Sequence, residues 1–115
     1  MKNKLLIFCI GVLSIILLCN CNNEKITCKI ISPENGAEFW KTQDIPVSVE
    51  ATINKGSLIQ VQIFLDDMVI GTLTEPPYDF TIKTNNVSAR VHGITAVAYS
   101  SSNQEVDAIL IKINE

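Results

Sequence analysis

His92 is the single histidine of the chain, so imidazole-based acid–base catalysis has one residue to work with. Nothing beside it in sequence completes a nucleophilic triad, although distant residues could meet it in the fold. Ser100, Ser101 and Ser102 cluster without the Gly-x-Ser-x-Gly elbow that presents a nucleophile. The simpler reading of His92 is a half-buried residue at a strand end, bonded to a nearby turn. Asp66, Asp67, Glu75 and Asp79 are oxygen donors of the kind Ca²⁺ takes, but the spacing of a calcium loop is missing. The simpler reading here is solvated turn carboxylates. A glycine-rich phosphate loop is also missing. These residues predict no metal, no cofactor and no catalytic centre.

The four cysteines do not supply a disulfide framework. Cys9 lies in an N-terminal apolar run, and Cys19 and Cys21 lie just behind it. Cys28 is the remaining one. It shares an alternating face with Ile26 and Ile30, which predicts a small buried apolar residue in place of a reactive thiol.

Short strands must position all of these groups. In Gln60 to Phe80, Val61, Ile63 and Leu65 alternate with Gln62 and Phe64, the period of a strand with one buried face. Asp66-Asp67 breaks the pattern and Met68 to Leu73 starts the return, so a hairpin is predicted. The same reasoning puts strands at 26–31, 45–52, 58–65, 78–84, 92–99 and 106–113. Residues 38–41 form an extended edge anchored by Phe39 and Trp40. Asn35-Gly36 and Asn54-Lys55-Gly56-Ser57 carry turn chemistry. About seven antiparallel strands with no helical period read as an all-β sandwich in one domain, 26–115, which the resemblance described below makes an Ig-like β-sandwich.

The N-terminus has a different character. Lys2 and Lys4 precede Leu5 to Leu18, a run of 14 apolar or small residues. That run suits the core of a signal peptide, being shorter than the ~20 residues a membrane span needs. Leu18-Cys19-Asn20-Cys21 resembles a bacterial lipoprotein signal, with Leu three positions before the cysteine; Asn20 departs from the small residue usual at the cleavage point. The resemblance implies removal of residues 1–20, acylation (palmitate-type) of Cys21 and a short tether over 21–25. The alternative is an uncleaved N-terminal anchor. Loss of Lys2 and Lys4 leaves seven basic against twelve acidic residues, a net charge of −5. That balance argues against nucleic acid or anionic lipid surfaces as partners of the domain as a whole.

Several stretches in order resemble the bacterial Ig-like domains of exported and surface proteins. Ile30-Ile31-Ser32-Pro33-Glu34-Asn35-Gly36 is similar to their first strand and Ser-Pro-x-x-Gly turn. Val61 to Asp67 is similar to their V-E-F-Y-V-D-G hairpin, followed by Ile70-Gly71-Thr72 and Pro77-Tyr78. His92 and Ala96-Val97-Ala98 are similar to their H-x-x-x-A-x-A strand. Asp67 stands where the hairpin usually has Gly, and Asp tolerates left-handed geometry better than most residues. Asn103 takes the glycine role in the late turn. The resemblance implies spacers or binding modules, without catalytic residues.

A surface is therefore expected to carry function. Alternation turns Gln60, Gln62 and Phe64 outward on one strand and Thr95, Val97 and Tyr99 outward on its expected neighbour. Gln60, Gln62, Phe64, Val97 and Tyr99 then form an exposed interaction strip, unless they only stabilise the sheet by cross-strand pairing. The expected partner is a protein of the bacterial cell envelope, or a glycan. The expected location is a lipid-anchored site at a membrane, whether the outer membrane or the cell surface.

Overall fold

Alternating Ile, Val and Ala residues build two sheets that close on one another. The computed structural model describes residues 23–115. The proposed signal peptide, Cys9, Cys19 and the proposed acylation site Cys21 lie outside the described residues. The strands are β1 (Ile26–Ser32), β2 (Ala37–Trp40), β3 (Ile45–Ile53), β4 (Gln60–Leu65), β5 (Met68–Leu73), β6 (Tyr78–Ile82), β7 (Val91–Tyr99) and β8 (Gln104–Asn114). Sheet one has the order β1-β3-β6, and sheet two the order β2-β8-β7-β4-β5.

Eight strands replace the expected seven, because the extended edge at 38–41 is a strand. It lies parallel to β8, with Ala37 opposite Ile111 and Trp40 opposite Asn114, and among the described residues it is the one parallel pair in an otherwise antiparallel sandwich. Gly36 explains how the chain reaches that position. Its φ of 91° is open to glycine, and its N–H donates to the Leu110 carbonyl at 2.7 Å. The preceding Asn35 side chain accepts the Leu110 N–H at 2.8 Å, so two adjacent residues fasten β2 to β8.

The core follows the alternation. Val61, Ile63, Ile94, Ala96 and Ala98 of sheet two face Ile45, Val47 and Val49 of sheet one, all buried. Each fully buried Ile or Val stabilises the fold by roughly 1.5–3 kcal/mol relative to an exposed one. At the open side of the sandwich, the Phe80 ring of β6 packs across the backbone of Gly71 in β5.

Thr84 is the exception among the largest buried side chains. Its hydroxyl lies 2.8 Å from the Lys41 carbonyl and 2.6 Å from the Gln43 carbonyl. It has one proton to donate, shared between two acceptors that hold the turn before β3. Thr84→Val keeps the shape and removes the donor. Urea unfolding is expected to show a loss of about 1–2 kcal/mol; a loss below a few tenths would mean the carbonyls find water instead.

Candidate interaction face

The hairpin between β4 and β5 organises one end of the molecule through a single carboxylate. Asp66 Oδ2 lies 2.8 Å from His92 Nδ1 and 3.3 Å from the Arg90 guanidinium, while Oδ1 accepts the Gly93 N–H at 3.0 Å. The Asp66 N–H in turn donates to the Gly93 carbonyl at 2.7 Å. The left-handed residue of the turn is Asp66, with φ 57°, and not Asp67 as the sequence suggested. This φ aims the carboxylate at three groups on or just before β7. The correction has a local cause: a bulge sets Phe64 opposite Val69 while Ile63 stays opposite Gly71, which shifts the hairpin geometry. The late turn also differs from expectation, since Asn103 is not left-handed. Its geometry is set by Ser100, whose N–H donates to the Asn103 carbonyl at 2.9 Å.

His92 is 3% exposed, and both ring nitrogens are occupied. Nδ1 faces Asp66 and Nε2 faces the Ser88 carbonyl at 2.7 Å, where a catalytic histidine would face a nucleophile or substrate. The ring is a bonded strut between the hairpin and the loop before β7. Ser100 and Ser102 are drawn into turn bonds at the other end of β7. Asp79 accepts the Ser48 hydroxyl in sheet one, remote from the Asp66 hairpin of sheet two. Among the described residues no three His, Cys, Asp or Glu side chains are grouped to hold a metal.

Burial alone would raise the pKa of Asp66. The hydrogen bonds from His92 and the Gly93 N–H, with the charges of His92 and Arg90, outweigh it and hold the carboxyl below the usual range. Glu24 is also held low, chiefly by its bond from Ser100. A depressed folded-state value means stability that is fully present above the unfolded value, about 4, and lost as pH falls through the folded value. Stability is therefore expected to stay level from neutral pH down to about pH 4 with respect to these groups, then to fall. Asp66→Asn should flatten that acid limb in urea titrations at pH 4 and pH 3. An unchanged limb would remove Asp66 from the account.

Cys28 shares its strand face with buried Ile26 and Ile30, and its Sγ lies 3.6 Å from the Ala96 carbonyl. It is free and half-buried. Desolvation, followed by the nearby Asp107 and Glu105 charges, pushes the thiol up to about 11, so it stays protonated and poorly nucleophilic at neutral pH.

The expected strip occupies the outer face of sheet two. Gln60 is opposite Tyr99, Gln62 opposite Val97 and Phe64 opposite Thr95. Gln60, Gln62, Phe64 and Tyr99 are partly exposed. Val97 departs from expectation: it is 6% exposed. It lies between Gln62 of β4 and Val106 of β8, whose side chains stand on the same face and cover it. Exposure passes instead to β8, where Val106 is 49% and Leu110 57% exposed. Leu110 stands opposite Gly93, which has no side chain to flank it. Sequence reasoning missed Val106 and Leu110 because β8 was not placed beside β7 in the strip, although their even spacing with Ala108 carried the signal.

Two sheets in this order define an Ig-like β-sandwich. The chain belongs to the bacterial Ig domain family, whose sequence profile matches residues 27–96. No curated protein matches it. A fibronectin(III)-like module of CbhA from Clostridium thermocellum has the same fold, with a TM-score of 0.68 at 21% identity over 76% of this chain and 97% of the module. A segment of the endo-beta-1,4-mannanase from Thermotoga petrophila gives 0.64 at 18% identity over 79% of this chain and 20% of the mannanase. Modules of this class are typically accessory and non-catalytic, and are commonly extracellular or surface-associated.

Proposed function

We propose that this chain is a non-catalytic lipoprotein of the bacterial cell envelope, whose Ig-like sandwich binds a protein partner while an acyl group on Cys21 holds it at a membrane. The observation that carries the binding part is the outer face of sheet two. Phe64, Tyr99, Val106 and Leu110 present apolar area there, beside the amides of Gln60 and Gln62. Aromatic rings with adjacent amides combine buried area with hydrogen bonding, the mixture found at protein interfaces. The anchoring part rests on the Leu18-Cys19-Asn20-Cys21 sequence.

Paired Phe64→Ser and Tyr99→Ser substitutions test the face. Both side chains are partly exposed, so the fold is expected to survive, as judged by its thermal transition. Capture of envelope proteins by crosslinking in membranes is expected to drop by about ten-fold or more, the loss of one strong interface contact. Unchanged capture by a folded double variant would remove this face from the proposal. Glycan binding is a second reading, favoured by the same rings and amides, and an array of bacterial and plant polysaccharides distinguishes it.

A further inference from the structure

The residues just before β1 are clasped to one end of the sandwich. Glu24 Oε1 accepts hydrogen bonds from the Ser100 hydroxyl, from the Ser102 hydroxyl at 3.2 Å and from Asn103 Nδ2 at 2.9 Å. Asn54 holds the residues on either side. Its Oδ1 accepts the Lys25 N–H at 2.7 Å, its N–H donates to the Lys25 carbonyl at 3.1 Å, and its Nδ2 donates to the Asn23 carbonyl at 3.2 Å. The stretch expected to be a short tether is thus bonded to the folded end from Asn23 onward. Cys21 precedes Asn23 by two residues, a stretch of chain that can reach at most ~7 Å. The surface beside the clasp exposes Lys25, Lys55 and Ile59, and Ile59 is 52% exposed. Neither lysine is ion-paired among the described residues.

We propose that this end, formed by the 54–59 loop and the Ser100–Asn103 turn, seats on the phosphate headgroups of the bilayer that holds the anchor. Lys25 and Lys55 meet lipid phosphates, and Ile59 meets the boundary with the acyl chains. Cationic residues near an apolar one match the layered chemistry of a lipid surface. The clasp makes the seating directional. β7 spans nine residues, about 30 Å, and separates the Ser100–Asn103 turn from the Asp66 hairpin. The hairpin end and its Arg90 therefore point away from the membrane, and the outer face of sheet two stands side-on to neighbouring proteins. This inference rests on the acylation of Cys21 proposed above.

The test uses the acylated protein extracted from membranes and returned to vesicles of phosphatidylcholine with phosphatidylglycerol. In a Cys28→Ser background, an environment-sensitive fluorophore is placed on Ser101→Cys or on Asp67→Cys, with a spin-labelled headgroup lipid as quencher. Most of the emission is expected to be lost at position 101 and almost none at position 67. Glu24→Ala, and separately Asn54→Ala, should reduce that contrast, and Lys25→Glu with Lys55→Glu should weaken quenching at 101. If the protein floats with the vesicles but both positions are quenched alike, the seating is wrong while the anchoring stands. If it does not float with the vesicles, the anchoring fails and the seating with it.

Discussion

Asp66→Ala is expected to destabilise the sandwich by about 3 kcal/mol. Two separate costs add. Loss of the carboxylate leaves His92 Nδ1 and the Gly93 N–H without their acceptor, and the imidazole is buried where water does not replace it. An orphaned buried donor costs about 1–3 kcal/mol. Alanine must also adopt the φ of 57° that Asp tolerates better, at roughly 1 kcal/mol. The ion pair with Arg90 adds little, because both side chains are well exposed and screened. Asp66→Asn keeps one acceptor oxygen and the tolerance of φ, so it should cost about half as much. Urea denaturation at pH 7 measures both. An Ala variant within about 0.5 kcal/mol of the parent, the range of ordinary surface substitutions, would show that the carboxylate is not the organiser of this end.

Gly71→Val is expected to cost about 2–3 kcal/mol through overpacking. A Cβ at position 71 would lie 2.6 Å from Phe80 Cε1 and 2.7 Å from Cδ1, far inside contact distance. The ring packs against the core at the open side of the sandwich, so it must shift and lose contacts. The cause is steric and shared between two residues, which makes it separable. In a Phe80→Leu background the same substitution should cost clearly less, and the double-mutant cycle gives the coupling. An equal cost in both backgrounds would place the strain in the β5 backbone instead of the ring.

Local pattern revealed the strands and their inward faces. The alternation of Val61, Ile63 and Leu65, and of Ile45, Val47 and Val49, reports directly which side chains leave water. The resemblance to Ig-like sandwiches, and not the local pattern, placed the strand that holds Gln60 to Phe64 beside the one that holds Thr95 to Tyr99. What it did not reveal depends on groups far apart in the chain. Val97 is covered because β8 lies on its other side, a fact absent from the sequence around Val97. Asp66 is left-handed within a bulged hairpin whose carboxylate meets partners more than twenty positions away. Residues 37–40 became a strand because β8 offered a free edge, which an extended stretch near Trp40 does not announce. The clasp of Glu24 joins residues separated by 76 to 79 positions. The candidate face was legible in its direction and its amides, and illegible in its exposure, because exposure is decided by neighbouring strands.

The architecture also constrains how binding is delivered. The outer face of sheet two carries Phe64, Tyr99, Val106 and Leu110 on three adjacent strands. A face of this kind suits another protein surface better than a small enclosed ligand. His92 and Asp66, the pair nearest in chemistry to a catalytic dyad, are spent on holding the hairpin. Under the proposed function, what matters is where this face is held and what it meets.

The intact mass of the protein extracted from cell membranes tests the central claim most directly. The account predicts a chain that begins at Cys21 and carries added fatty acyl groups. A mass equal to the full unprocessed chain, with Leu5 to Leu18 retained, would contradict it and leave the Ig-like sandwich on an N-terminal peptide anchor.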